Sequence, residues 1–199
     1  MHANPRALAY EAFRGERPAL EPGRPVEVEI GCADAQFLFE RAAQDPSRHY
    51  VGVEIRRDLV DLVNKRARAT GAPVHVVFCQ AQLHLTEALP PASVDRVYVN
   101  FPDPWFKRRH HDRRMIDEAL AAGIAEVTRP GADVFVQTDV WDLALDALET
   151  FERRDDVFAN AAGAWSFWRG GNPFGARSWR EQNAEETGLP IWRLLYRRG

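Results

Sequence analysis

The segment Asn100-Phe101-Pro102-Asp103-Pro104-Trp105-Phe106-Lys107-Arg108-Arg109-His110-His111-Asp112-Arg113-Arg114 carries the densest set of chemistry-capable side chains in the sequence. Pro102 and Pro104 stiffen the backbone on either side of Asp103 and hold its carboxylate outward. A carboxylate so held accepts hydrogen bonds from paired N–H donors, and the N1 and N2 protons of guanine are such a pair. Adenine offers no equivalent pair on that edge. The N7 atom of guanine carries a lone pair and no proton, so its attack on an electrophilic methyl group needs no general base. The ring becomes cationic, and a nearby carboxylate stabilises the charge that develops in the transition state.

Immediately downstream, Lys107 to Arg114 hold five Lys or Arg and two His against one acid, in a chain whose formal net charge is -3. A solvated helix start is the plain alternative, but like charges this dense at a helix amino terminus oppose the macrodipole. Phosphate contact by Arg108, Arg109, Arg113 and Arg114 is therefore expected, on a polyanionic partner. His110 and His111 are adjacent and do not face each other on a helix, so no metal site is expected from them.

A second constellation lies upstream. Gly31, in Glu29-Ile30-Gly31-Cys32-Ala33-Asp34, falls where a strand gives way to a helix, and a residue without a side chain there lets the backbone approach a ligand. Glu54 stands 23 residues further on. That matches the acid, roughly 20 residues past a glycine turn, that accepts from ribose hydroxyls. Either residue alone is an ordinary strand end; at this spacing they point to an adenosine-type ligand. Ala33 and Ala35 occupy places where a Gly-x-Gly-x-Gly turn has its second and third glycines, so the loop is either less contorted than usual or binds less well.

The elements that position these residues follow from periodicity. Apolar runs at Val26 to Gly31, Tyr50 to Ile55, Val74 to Phe78, Val94 to Asn100 and Ala132 to Thr138 have strand length and lack polar alternation, as buried parallel strands do. Between them, Asp34 to Gln44, Arg57 to Ala69, Arg113 to Thr128 and Val140 to Arg153 repeat apolar residues at three and four, the helical spacing. Asp45-Pro46, Thr70-Gly71-Ala72-Pro73 and Arg129-Pro130-Gly131 punctuate the helix ends. Two antiparallel strands are expected near the carboxyl end, within Val157 to Trp168 and Ile191 to Tyr196, joined by a long loop. The expected fold is α/β: a doubly wound, mostly parallel seven-stranded sheet with a C-terminal antiparallel hairpin, which a dinucleotide-binding dehydrogenase lacks. Residues 1–24, with mixed charge and three prolines, read as a loosely ordered arm, and residues 25–199 as one domain.

The chain has 199 residues, 45% of them hydrophobic, enough for one core of fair size. Cys32 and Cys79 make neither a disulfide framework nor a zinc spacing. Neither a signal peptide nor a membrane span is apparent, and a cytoplasmic protein is expected.

With these segments in hand, the chain resembles the bacterial tRNA guanine-N7 methyltransferases, class I enzymes with a Rossmann-like fold, over nearly all of its length after residue 24. Phe101-Pro102-Asp103-Pro104-Trp105 with the basic run behind it is the specific part of the match. The resemblance implies S-adenosylmethionine as cofactor and tRNA as partner, with methylation of a guanine in the variable loop. It implies cofactor contacts at Glu29, Gly31, Glu54 and Asp103, the last also catalytic, and at Gln80, which stands where the family has an acid after the third strand. A glutamine oxygen can still accept from an adenine amino group. Lys107 matches a substrate-contacting lysine, and Thr138-Asp139 the family's Thr-Asp pair, whose aspartate is assigned to substrate. Ser178-Trp179-Arg180-Glu181 occupies the window of the family's Thr-Lys-Phe-Glu, keeping the hydroxyl and the carboxylate, so Ser178 and Glu181 join the implied substrate contacts.

Two other readings stay open at this point. An RNA-binding relative could have lost efficient transfer through Ala33 and Ala35. An amino-methyltransferase is suggested by the loose likeness of Asn100 to Asp103 to an Asn-Pro-Pro-aromatic motif, although Phe101 intervenes and the aromatic after the second proline is absent. A nicotinamide oxidoreductase needs a Gly-x-Gly-x-x-Gly turn that Gly31 to Gln36 does not supply. Trp165, Phe167, Trp168 and Trp192 read as packing residues.

Overall fold

Valine-rich runs bury both faces, including Val26–Ile30 where Glu27 and Glu29 alternate with apolar residues, and in the computed structural model, which describes residues 17–103 and 115–199, they form the centre of a seven-stranded sheet. The strands are β1 (Val26–Ile30), β2 (His49–Glu54), β3 (Val74–Phe78), β4 (Val94–Asn100), β5 (Thr128–Thr138), β6 (Phe158–Asn160) and β7 (Trp192–Arg198). Their order is β3-β2-β1-β4-β5-β7-β6. The first five run parallel, and β7 enters antiparallel between β5 and β6. The expected doubly wound sheet with its antiparallel end is therefore present, although β6 has only three residues of the longer run read from the sequence.

Six described helices cover the faces: α1 (Gln36–Gln44), α2 (Arg57–Thr70), α3 (Ala81–Ala88), α4 (Glu118–Val127), α5 (Trp141–Glu152) and α6 (Trp179–Glu186). α3 and α6 were not read from the sequence. Both have eight residues, too short for a repeat to stand out, and α6 is polar nearly all round, burying only Glu181 and Ala184. β5 also begins earlier than expected, because Thr128 pairs with Val94 before a shift in register, so Pro130-Gly131 lies within the strand's span rather than after a helix.

The order reverses between β1 and β4, so the carboxyl ends of these two strands flank a crevice. One core layer packs α3, α4 and α5 against one face through residues such as Val28, Leu120, Ile124 and Phe151. The other packs α1 and α2 through Phe37, Leu38, Val60 and Val63, with Tyr98 and Phe135 from the sheet. Below that second layer Glu27 is wholly buried and takes Arg41 in a two-point pair, Arg96, and the hydroxyl of Tyr98. Several charge-assisted bonds of this kind are what makes a buried carboxylate tolerable.

Residues 17–24 are tied to the body. His49 accepts from the Glu21 N–H at 3.0 Å, and the Arg24 guanidinium donates to the carbonyls of Ser47 and Pro46 at 2.9 and 2.7 Å. No described helix is long and apolar enough to cross a membrane.

Candidate active site

The ends of β1, β2, β3 and β4 open on one cavity of about 720 Å³, lined by Glu29, Gly31, Glu54, Gln80 and Asp103 among others. Five residues named from the sequence for a cofactor thus meet in one place, each just inside or beyond a parallel strand's carboxyl end. The cavity also takes in Ser178, Trp179 and Arg180 from the start of α6, so the two expected halves of the site share a wall.

Glu29 is 3% exposed, and burial pushes its carboxyl up to about 8, opposed by a 2.8 Å hydrogen bond from Asn100 and reinforced by the charges of Asp34 and Glu54. Its Oε2 is buried and has no hydrogen-bond partner among the described residues. A buried carboxylate oxygen without a donor is costly, and this one stands at the cavity wall.

Glu54 is the opposite case. Its Oε2 accepts from the Ala33 N–H at 2.9 Å, and its Oε1 from the N–H groups of Ile55 and Arg56 at 2.9 and 3.0 Å. The Arg56 guanidinium spans both oxygens at 3.0 and 3.1 Å, and this contact raises the arginine's pKa. Backbone donors aim the carboxylate, while the half-exposed Arg56 holds the positions that ribose hydroxyls need. Gln80 caps α3, its Oε1 accepting from the Leu83 N–H, and its amide donates to Gln82.

The loop after β1 excludes the less contorted of the two readings of the alanines. Gly31 has φ +75°, and Ala33 and Ala35 have φ 50° and 56°. The loop is as contorted as a glycine turn, and the two alanines sit in the left-handed region that side chains resist. Gly52 on β2 is needed for another reason: a Cβ there meets Cys32 Sγ at 2.5 Å and Val76 at 2.8 Å, so only glycine lets the loop settle on the strand. Phe101, at the end of β4, is likewise left-handed at φ 48°. Strained residues of this kind gather at functional sites.

On the substrate side the named residues separate. Asp103 is exposed at the cavity wall. Ser178 caps α6, accepting from the Glu181 N–H at 3.2 Å, and also lines the cavity. Asp139 lies beyond β5, its side chain paired with Arg180. Glu181 is fully buried and takes donors from Gln137, Arg193 and Asn172. In this structure its carboxylate holds α6 to the sheet and does not line the cavity. Gln137 also donates to Asn100 at 3.0 Å, so a chain of buried amides joins Glu29 to Glu181. Nothing in the sequence marked Gln137 or Arg193, because two of the chain's three links connect residues at least 37 positions apart within ordinary strand sequence. Lys107, Arg108, Arg109, Arg113 and Arg114 lie outside the described residues. Trp165 is 61% exposed and so is not a packing residue, whereas Phe167 and Trp168 pack against the core and Trp192 packs against Trp141 in a tilted ring contact.

Comparison with known proteins agrees with this geometry. A family model described as "Putative methyltransferase" matches residues 23–194. The tRNA (guanine-N(7)-)-methyltransferase of Synechococcus sp. (strain WH7803) is 38% identical, over 99% of this chain and 86% of that protein. The chain belongs to this family. The relative of the same name from Trichormus variabilis is 31% identical, over 99% of this chain and 94% of that one. Among solved structures, the 16S rRNA methyltransferase KamB superposes with a TM-score of 0.60 at 16% identity, covering 100% of this chain and 94% of that one. TrmN from Thermus thermophilus gives 0.59 at 16% identity, over 98% of this chain and 48% of that one. At such identities these likenesses concern the fold alone.

Proposed function

We propose that this member of the family transfers a methyl group from S-adenosylmethionine to N7 of a guanine in tRNA, and that the residues meeting at the four strand ends carry the reaction. The observation behind this reading is the convergence of Glu29, Glu54, Gln80 and Asp103 on one cavity in a chain of this family.

The residues suit the cofactor. The free oxygen of Glu29 faces a group that donates or is positively charged, as the methionine ammonium is. Glu54 accepts from the ribose once Arg56 turns aside, and Gln80 offers its amide to the adenine edge. When bound there, S-adenosylmethionine supplies a sulfonium methyl that a neutral ring nitrogen can attack.

Asp103 orients the acceptor. Its exposed carboxylate takes the N1 and N2 protons of guanine and faces the positive charge that the ring acquires. Ser178 lines the cavity and Asp139 pairs with Arg180 of the same wall; Lys107 contacts the substrate, and Arg108, Arg109, Arg113 and Arg114 supply phosphate contacts. The variable loop is the position that the family resemblance implies for the guanine.

The test is transfer of labelled methyl from S-adenosylmethionine to unmodified tRNA, followed by nucleoside analysis and nuclease mapping. The expected product is 7-methylguanosine in the variable loop. Asp103→Ala should lose on the order of 10² to 10³ in kcat, the scale for removing one preorganised electrostatic group. A wild-type chain that retains tRNA without methylating it would defeat the proposal.

A further inference from the structure

A large aromatic ring left in water at the wall of a reaction cavity needs an explanation. Trp179, the first residue of α6, is 62% exposed, yet it lines the same cavity as Asp103 and Glu29. Its neighbours hold it there. Ser178 caps the helix, Arg180 is paired with Asp139, and Glu181 is locked beneath by Gln137, Asn172 and Arg193. The first turn of α6 is therefore fixed to the sheet while the indole itself remains open to a ligand. Indole faces bind planar rings by stacking and bind cations through their negative quadrupole.

We propose that Trp179 is the stacking wall for the target guanine, and that it favours the ring in its methylated, cationic form over the neutral one. This rests on the proposed guanine-N7 reaction. In that step the N7 lone pair forms the new C–N bond while the S–C bond breaks and its electron pair stays on sulfur. No proton is released, and the positive charge passes from sulfur to the purine. An aromatic face against the purine is thus worth more in the transition state than in the ground state, which is the condition for raising kcat rather than only lowering KM. Asp103 meets the ring at its edge and Trp179 at its face, so the two contacts do not compete for the same atoms.

The experiment compares the full-length wild type with Trp179→Phe, Trp179→Ala and Trp179→Lys, using unmodified tRNA and S-adenosylmethionine. It measures kcat and KM separately and, independently of turnover, the competition of 7-methylguanosine monophosphate and guanosine monophosphate for the site. Cofactor affinity, read by calorimetry, serves as the check that each variant is folded. The expected result is a kcat lower by about tenfold in the alanine variant, with phenylalanine close to wild type and lysine, which has no aromatic face, below phenylalanine. The wild type prefers the methylated nucleotide, and the alanine variant loses that preference. An alanine variant that binds cofactor normally, keeps kcat within about twofold of wild type and keeps its nucleotide preference overturns the inference while leaving the guanine-N7 reading intact. Absence of 7-methylguanosine from the wild-type reaction overturns both.

Discussion

Glu29 and Glu181 are both glutamates buried in the same protein and joined by one chain of amides through Asn100 and Gln137, yet they are in opposite states. Glu181 has donors on both oxygens, among them the guanidinium of Arg193 at 3.0 Å. Glu29 has a single donor on one oxygen and none, among the described residues, on the other. A saturated buried carboxylate holds structure together. An unsaturated one at a cavity wall carries a burial penalty that a donating ligand would remove, which is the role proposed for Glu29. The contrast separates scaffold from site more sharply than residue type does.

Removing Glu181 should have the largest effect on folding. Glu181→Ala leaves Arg193 with a largely buried charge whose nearest remaining carboxylate among the described residues is Glu185 at 3.8 Å, and it takes one acceptor from each of Gln137 and Asn172. Breaking a buried pair from one side costs about 3–5 kcal/mol. Denaturant titration of the variant should show a loss of that size, with Glu181→Gln intermediate. If Glu181 instead contacted tRNA directly, the alanine variant would unfold like wild type and differ only in KM for tRNA, and the contrast with Glu29 would collapse.

How much of this was legible before folding follows from where the signals sit. The five parallel strands and the residues at their ends could be read because each strand is a short Val-rich run between helical segments, and each functional group lies at or beside its end. The pairing of Gly31 with Glu54 survives projection onto sequence because one βαβ unit separates them. The roles of Asn100, Gln137 and Arg193 could not be read, since an amide in a strand looks the same whether it faces solvent or bridges two glutamates. Arg56 on Glu54 is a contact between near neighbours, but its choice of partner depends on geometry that periodicity does not encode. α6 carries almost no amphipathic signal, so the wall that brings Trp179 to the cavity was invisible until the chain was folded.

The state of Glu29 makes cofactor affinity depend on pH in a definite direction. In the free protein burial raises its carboxyl to about 8, well above the ordinary 4.5 of a glutamate, so between those limits the folded state holds a proton that the unfolded chain has lost. Stability of the ligand-free protein therefore falls as pH rises through this window. Binding an ammonium against Oε2 requires the ionised form, so binding releases the proton. Affinity measured by calorimetry should rise by about tenfold per pH unit below 8 and level off above it. In Glu29→Gln the slope should vanish and affinity should be low at every pH. A wild-type affinity that is flat from pH 6 to 9 would mean that Glu29 is not the group facing the ammonium.

The smallest effect distinguishes two alanines of the same loop. Each pays for its left-handed backbone, where a Cβ costs roughly 1–2 kcal/mol, and glycine returns part of that gain through the greater freedom of the unfolded chain. Ala33 is only partly buried, and its N–H donates to Glu54, so Ala33→Gly relieves strain at little loss of packing. A net gain of about 0.5–1 kcal/mol is expected in chemical denaturation. Ala35 is completely buried at the start of α1, and its methyl is worth about 0.8 kcal/mol of apolar burial. Ala35→Gly should therefore come out near neutral. Because the backbone already has the required conformation, neither change should alter cofactor affinity by more than about twofold. A much larger gain in affinity would mean that the alanines hold the loop away from its binding geometry, and the orphaned oxygen of Glu29 would then reflect a site not yet formed.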